Sequence, residues 1–417
     1  MLVIIIICLL ILFFLIILFR TLAFKPIPIS AGKTEPITAD GDAAALNLSR
    51  LIQKRTVFSR FTEDINIDEF QAFMDLLPQL YPKTHKTLER RIINKYAMLY
   101  RWKGLSGEKP LVLMAHYDVV AASLEGWEHP PFSGDIKNGI VWGRGTLDTK
   151  GTLVSALEAV ESLIKSSFSP MHDIYLSFSY DEEIDGVGTE ALVSWFRENG
   201  VTPGLVVDEG GAVVEDIFPK PTLEMIDTLG RHTPFGLRMI FANMWLFRPL
   251  LVQLFIRLSK ETRAMCRTTV AITMLKGSKG ANVLPSRVSA AANIRVAVGC
   301  TVEETLNHLK KAINDPDVEI DMIYPGEPSP VSDTDETYRF LGEIIHETWP
   351  NTVVSPYVML GASDSRHYSK ISNHVYRFSP FTLSKKERDS MHAVNECIPV
   401  STLKKAVEFH IRLIGKY

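Results

Sequence analysis

Hydrophobic positions along the chain fall into three textures. The first is unbroken: Leu2 to Phe19 read LVIIIICLLILFFLIILF, with no charge before Arg20. At about 1.5 Å rise per residue, a helix of this length spans roughly 27 Å, close to the hydrocarbon thickness of a bilayer. A helix apolar on every face belongs in lipid more readily than against a soluble core. Residues 1–23 are therefore expected to form a transmembrane anchor. A secretory signal peptide is the alternative, but the run lacks a basic leader and is longer than a usual signal core. Residues 24–42, rich in Pro, Gly and Thr, read as a linker.

The second texture is globular. Helical periodicity covers 43–54, 67–80, 151–165 and 189–199. Between these lie short apolar runs suited to buried strands: Tyr96–Trp102, LVLMA at 111–115, IYLSFS at 174–179 and LVV at 205–207. Alternation of strands and helices predicts an α/β domain, a mainly parallel sheet with helices on both faces. From about 265 to 325 the third texture appears. MCRTTVAITML and VSAAANIRVAV read as antiparallel strands, and 302–314 as an amphipathic helix. The α/β pattern resumes with strands in VVSPYVML and VYRFSP and closes on a helix at 399–414. The expected organisation is a main domain of 43–211 and 326–417 interrupted by an α+β insertion at 212–325.

Composition narrows the function. The chain has 417 residues, 46% of them hydrophobic, which excludes an intrinsically disordered protein. A net charge of -3 offers no electrostatic footprint for nucleic acid, so no nucleic-acid partner is expected. Four cysteines at no knuckle spacing argue against a disulfide scaffold or a cysteine-zinc module. Arg20, Lys25 and Lys33 follow the apolar run and favour a cytosolic body, leaving the side of the membrane open. The sequon Asn47-Leu48-Ser49 has meaning only if the body is extracytoplasmic.

Candidate chemistry sits after the predicted buried strands, where open α/β sheets place their sites. His116 and Asp118 follow LVLMA, and i, i+2 side chains of an extended segment share one side. GRGTLDTKG, 143–151, resembles a phosphate loop, but Asp148 replaces the third glycine of a dinucleotide pattern, and an acid there suits a cation better. Asp181-Glu182-Glu183 follows IYLSFS, Asp208-Glu209-Gly210-Gly211 follows LVV, and MHAVNE at 391–396 adds His392. Each alone is weak, since acid clusters are usually solvated. Together they supply nitrogen and oxygen donors for a hard-to-borderline metal site.

The ordered set HYD, GRGTLDTKG, DEE, DEGG and MHAVNE resembles the co-catalytic di-zinc exopeptidases. That family includes aminoacylases, acetylornithine deacetylase, carboxypeptidase S and the N-fatty-acyl-amino-acid synthase/hydrolases. The resemblance runs from about residue 45 to the end and is greatest to the carboxypeptidase S-like branch. It implies a catalytic α/β domain holding two zinc ions, with cobalt or manganese as alternatives, and an inserted lid commonly used for dimerisation. Residue by residue, it implies that Asp148 bridges both metals, that His116 and Asp208 complete one site, and that Glu183 and His392 complete the other. Glu182 would be the general base, and Asp118 would fix the tautomer and orientation of His116. Asn282, Arg295 and Arg366 resemble residues that grip substrate. The peptide after Asp148 is expected to be cis.

The implied reaction is hydrolysis of an amide bond beside a free carboxylate, in a peptide or an N-acyl amino acid. Two departures qualify it. From Gly210 to Arg231 there is no room for the family's opening lid strand, helix and oxyanion-binding histidine, and His232 in GRHTP does not match that role. The lid is thus expected to be shortened, a family-type homodimer is in doubt, and a tethered metal-binding relative with weak turnover is the rival reading. The apolar stretch at 235–258 is interrupted by Arg238, Arg248 and Arg257, so it is no second span; lid packing is its expected role, with membrane contact or hydrophobic substrates as the alternative.

Overall fold

The computed structural model describes residues 2–26, 35–58, 65–184, 186–214, 222–258, 263–264, 267–278, 280, 282–357, 359 and 361–417. Part of the expected linker (27–34) and part of the lid entry (215–221) lie outside the described residues. The chain forms two compact units. One comprises Met1–Pro28, Phe218–Val331 and Ser355–Leu360; the other comprises Ile29–Ile217, Ser332–Val354 and Gly361–Tyr417.

In chain order the elements begin with α1 (Leu2–Ala23), α2 (Gly41–Ile52), α3 (Ile67–Leu80) and α4 (Pro82–Thr87). Strands β1 (Glu89–Ile93), β2 (Ala97–Trp102), β3 (Ser106–His116), β4 (Ile136–Lys137) and β5 (Ile140–Trp142) follow. Next come α5 (Lys150–Lys165), β6 (His172–Ser179), α6 (Val187–Glu198) and β7 (Leu205–Val214). The inserted segment holds α7 (Thr222–Gly230), α8 (Phe235–Ala242), α9 (Met244–Leu258), β8 (Thr269–Lys276), β9 (Ser289–Arg295) and α10 (Val302–Ile313). The chain closes with α11 (Glu336–Thr348), α12 (Ser365–Tyr368), β10 (Val375–Leu383), α13 (Lys385–Arg388), β11 (Cys397–Pro399) and α14 (Val400–Lys416).

The second unit is built on a six-stranded sheet of order β1-β2-β6-β3-β7-β10. Strands β6, β3, β7 and β10 pair in parallel, whereas β2 and β1 add antiparallel at one edge. The sheet is therefore mixed. The antiparallel edge follows from a tight reversal in which Asn94 (φ 45°) and Lys95 (φ 72°) take left-handed conformations. Leu111 to His116 of β3 and Asp173 to Ser179 of β6 are buried throughout, as strands covered on both faces must be. Helices α2, α5 and α14 pack together, with α5 on β3, while α6 packs on β2 and β6. The caps are local: Asp40 accepts from Ala43 N (2.9 Å) to start α2, and Asn66 accepts from Asp68 N to start α3.

Two strand expectations change. VVSPYVML forms no strand among its described residues; Pro356 removes a ladder donor from the middle of the run. Strand β7 does not stop at Val207 but continues to Val214 alongside β10. In the first unit the described sheet has two strands, β8 and β9, antiparallel. Helix α10 has a capping box between Thr301 and Glu304 but buries no residue, and β8 is exposed along nearly its whole length.

Candidate metal centre

Three strands of the second unit (β3, β6 and β7) and the two loops carrying Asp148 and His392 bring the predicted metal-centre residues together. His116 is the last residue of β3, and its backbone is locked to the next loop: His116 N donates to Thr149 Oγ1, and Thr149 Oγ1 donates to His116 O, both 2.9 Å. The intervening Asp148–Thr149 peptide is cis, as expected. His116 Nδ1 donates to the backbone oxygen of Asp118 (3.1 Å), which leaves Nε2 facing Asp148 Oδ1 at 2.8 Å. The other carboxylate oxygen of Asp148, Oδ2, lies 2.8 Å from His392 Nε2. One carboxylate thus stands between two imidazoles, one per oxygen.

The remaining acids close around this axis. Glu183 Oε1 is 3.3 Å from His392 Nε2 and, though buried, forms no hydrogen bond. Asp118 Oδ2 accepts from Glu183 N (3.1 Å) while its Oδ1 lies 3.3 Å from His116 Nδ1, so this carboxylate stands between Glu183 and His116. His116, Asp148 and Glu183 can converge on one ion, as can His116, Glu182 and Glu209. Asp208, by contrast, is turned towards Ser363 Oγ (2.5 Å) and Ser365 N (3.0 Å), while Glu209 Oε1 reaches within 3.4 Å of His116 Nε2. A bulge lies at this point: Arg377 pairs with Asp208 but Phe378 with Gly211, so Glu209 and Gly210 have no partner on β10. Neither the bulge nor Glu209's approach is visible in DEGG as a sequence.

Burial dominates the electrostatics. It pushes the Glu182 carboxyl up to about 10, with Glu209, Asp364 and Asp118 acting in the same sense and His116 opposing. Burial, reinforced by Asp148, likewise lifts Glu209 to about 8. Burial also works against charging His116 and against ionising Asp148, but the Glu209 charge with hydrogen bonds outweighs it at His116, and hydrogen bonds to His116 and His392 outweigh it at Asp148. His116 is raised well above its ordinary value and Asp148 falls well below the carboxylate range. The carboxylates of Asp148 and Glu183 beside its ring raise His392 to about 10, against the effect of burial. Five carboxylates (Asp148, Glu182, Glu183, Asp208, Glu209) packed beside two imidazoles make a donor set that divalent cations fit, and the orphaned Glu183 Oε1 needs such a partner.

A positioning pair escaped the sequence reading. Glu396 is fully buried and accepts from Arg144 Nη1 (2.6 Å) and from the backbone N–H groups of Gly145 (3.1 Å), Leu147 (2.9 Å) and Asp148 (3.3 Å). Arg144 Nη2 also donates to Ala393 O (3.1 Å) and lies over the Trp127 ring. The GRGTLD and MHAVNE loops, which carry Asp148 and His392, are therefore clamped to each other. His392 itself sits at φ 57°, a conformation that costs a non-glycine residue on the order of 1 kcal/mol and is held by its surroundings. Opposite charges in the two motifs were the available signal. A second fixed point is Lys150, whose buried Nζ caps the end of α2 through Leu51 O (3.1 Å) and Lys54 O (2.8 Å).

Arg366, half-buried in α12, follows the Ser363–Ser365 pair that holds Asp208, and its Nε lies 3.1 Å from His367 Nε2. Asn282 and Arg295 belong to the other compact unit, where both are exposed.

Comparison with known proteins adds three kinds of finding. A family model described as peptidase family M20/M25/M40 matches residues 112–416. "Probable carboxypeptidase S-like 2" of Dictyostelium discoideum is 31% identical over 88% of this chain and 85% of its own length. "N-fatty-acyl-amino acid synthase/hydrolase PM20D1" of Xenopus tropicalis is 30% identical over 84% of this chain and 81% of its own. Among solved structures, the metallo-carboxypeptidase Sso-CP2 of Sulfolobus solfataricus superposes with a TM-score of 0.63 at 14% identity, covering 89% of this chain and 98% of that one. Human carnosine dipeptidase 1 gives 0.62 at 14% identity, covering 90% and 96%. At such identities the structural likeness concerns the fold.

Proposed function

Since the chain belongs to peptidase family M20/M25/M40, a family of hydrolases, we propose that it hydrolyses an amide bond beside a free carboxylate, in a peptide or an N-acyl amino acid. The names of two relatives, carboxypeptidase S-like and N-fatty-acyl-amino acid synthase/hydrolase, support that substrate class. The observation that carries the reading is Asp148, whose two oxygens each lie 2.8 Å from a different histidine. A carboxylate so placed is suited to bridge two cations. His116 with Asp208 or Glu209 would complete one site, and Glu183 with His392 the other. Nitrogen and oxygen donors favour zinc, with cobalt and manganese compatible.

Divalent cations held there would lower the pKa of the attacking water and polarise the scissile carbonyl. The protein's own residues do the rest. Glu182 takes the proton of the attacking water and delivers it to the leaving nitrogen. Burial raises its proton affinity, which strengthens it as a base, and cations held beside it would act in the opposite sense and help it release the proton. Asp118 keeps His116 in the tautomer that presents Nε2, and the Arg144–Glu396 clamp keeps Asp148 and His392 in register. Arg366 is the candidate for gripping the substrate carboxylate, which its planar fork matches; Asn282 and Arg295 have the same role on the resemblance alone. The apolar helix α1 would tether the enzyme to a membrane.

A second reading has one observation behind it. The described lid has a two-stranded sheet and a helix, α10, that buries nothing. Two strands alone are marginal, so turnover slowed by an incomplete lid, with poor dimerisation, is the alternative. A screen of N-acyl amino acids and blocked dipeptides against their carboxamide counterparts, with and without added zinc, tests both. Zinc-dependent hydrolysis confined to free acids is expected. Equal hydrolysis of carboxamides would overturn carboxylate selection, and metal binding without turnover would favour the second reading.

A further inference from the structure

The first unit contains an arrangement that the hydrolase reading does not use. Along α1, Phe13, Ile17 and Thr21 recur at four-residue spacing and form one stripe; Ile17 and Thr21 are buried while most of the helix's remaining apolar side chains are exposed. The stripe is docked against α8 and the start of α9. Arg20 Nε donates to Ala242 O at the end of α8 (3.2 Å), and the Phe13 and Trp245 rings meet edge to face at 6.0 Å. At the break between α8 and α9, fully buried Asn243 donates through Nδ2 to Met239 O (2.8 Å), to Thr21 Oγ1 (3.3 Å) and to Ile17 O (3.4 Å). The carbonyl freed at the helix break is thus satisfied by a side chain, as non-helical backbone at membrane depth requires, although Asn243 Oδ1 is itself buried without a partner.

We propose that α8 and α9 form a second membrane element: a re-entrant helical pair that enters the bilayer beside α1 and does not cross it. Its occupant is lipid. Continuity with α1 is the first argument, because Trp245 reaches the level of Phe13. That is seven residues, or about 10 Å at 1.5 Å per residue, below Arg20, roughly a third of a hydrocarbon core of about 30 Å. The second is the outward face. Leu246, Leu250 and Leu254 recur at four-residue spacing and are exposed, with Trp245 beside them at 55% exposure. The third is charge. Residues 228–260 contain no acid but carry Arg231, Arg238, Arg248, Arg257 and Lys260, which suits anionic headgroups and forbids a full crossing. At the Arg20 end the chain becomes polar: Arg231 pairs with Asp227 (2.8 Å), stacks on Phe24 (4.5 Å) and donates to Lys25 O (3.0 Å). A hollow of about 460 Å³ between α1, α7 and α8, lined by Arg20, Arg231 and Asp227, lies at the same level.

The inference stands apart from the catalytic reading, and its test uses no substrate. Trp245 is the single tryptophan of the first unit; Trp102, Trp127, Trp142, Trp195 and Trp349 all belong to the second. Full-length protein is reconstituted into phosphatidylcholine/phosphatidylserine vesicles (3:1) with brominated acyl chains, and tryptophan emission is compared with that in unbrominated vesicles. The wild type should float with the vesicles and be quenched. Trp245→Phe should float equally and lose most of the quenching, and adding Leu250→Trp to that variant should restore it. Vesicle-bound wild type without quenching, or quenching unchanged in Trp245→Phe, would place this face in water, against the rest of the lid or on a second copy, and overturn the proposal. Failure to float would remove its premise and overturn it as well.

Discussion

Replacing Glu396 by Gln perturbs the clamp without changing its shape. In the native loop one oxygen accepts three backbone N–H groups and the other faces the Arg144 guanidinium. An amide can satisfy one of these arrangements at most. Either its NH2 confronts Arg144, leaving a buried cation that cannot lose its proton, or it confronts the three N–H donors. Removing one partner of a buried pair costs about 3–5 kcal/mol, a large share of the 5–15 kcal/mol that holds a typical domain. For a unit of this size that corresponds to a fall in melting temperature of roughly 6–20 °C, read by calorimetry of the full chain. Metal content should fall with it, because the loops carrying Asp148 and His392 lose their common anchor. Arg144→Met should be milder. Burial already raises the Glu396 pKa against the pull of Arg144, so the stranded carboxyl can take up a proton. A group whose folded pKa is raised loses its stabilising contribution as pH rises, so the Arg144→Met deficit should shrink as pH is lowered from 8 towards 5. Glu396→Gln melting within about 2 °C of wild type with full metal content, against that ledger, or proving milder than Arg144→Met, would refute this account of the clamp.

Two further outcomes follow from the same geometry. Asp148→Ala should abolish binding of both divalent ions, whereas His392→Ala should weaken chiefly one; mass spectrometry of the metal-loaded protein counts them, and one ion per chain in the replete wild type would remove the bridge. His410, buried in α14 beside Ser155 Oγ (3.1 Å), is held down to about 3 by burial. Its unfolded form binds a proton near pH 6.5, so stability should be lost as pH falls from about 6.5 towards 3, on the order of 1 kcal/mol per pH unit from this group, and His410→Phe should flatten that part of the acid limb in urea titrations.

Much of this was legible from residue pattern. Continuous apolar runs marked β3 and β6 because both of their faces are buried, and the period of 3.6 marked α3 at its observed bounds. Of the candidate metal-centre residues, His116 and the Asp181–Glu183 cluster stand at or directly after the ends of those runs. What stayed hidden depends on pairing across long sequence distances. The direction of β2 follows a left-handed turn at Asn94 and Lys95, and the bulge beside Asp208 is defined only against β10. Arg144 and Glu396, 252 residues apart, look like surface charges until the fold buries both. The stretch at 235–258, read as lid packing, turned out to lie against α1, a contact that no local periodicity encodes.

The measurement that bears most directly on the central claim is a paired assay of metal content and hydrolysis on Glu182→Gln. If Glu182 carries protons and the neighbouring residues carry the cations, the variant should retain two divalent ions per chain. Its zinc-dependent hydrolysis of an N-acyl amino acid should fall by about 10²–10⁴-fold. Loss of metal in this variant, or turnover close to that of the wild type, would contradict the assignment.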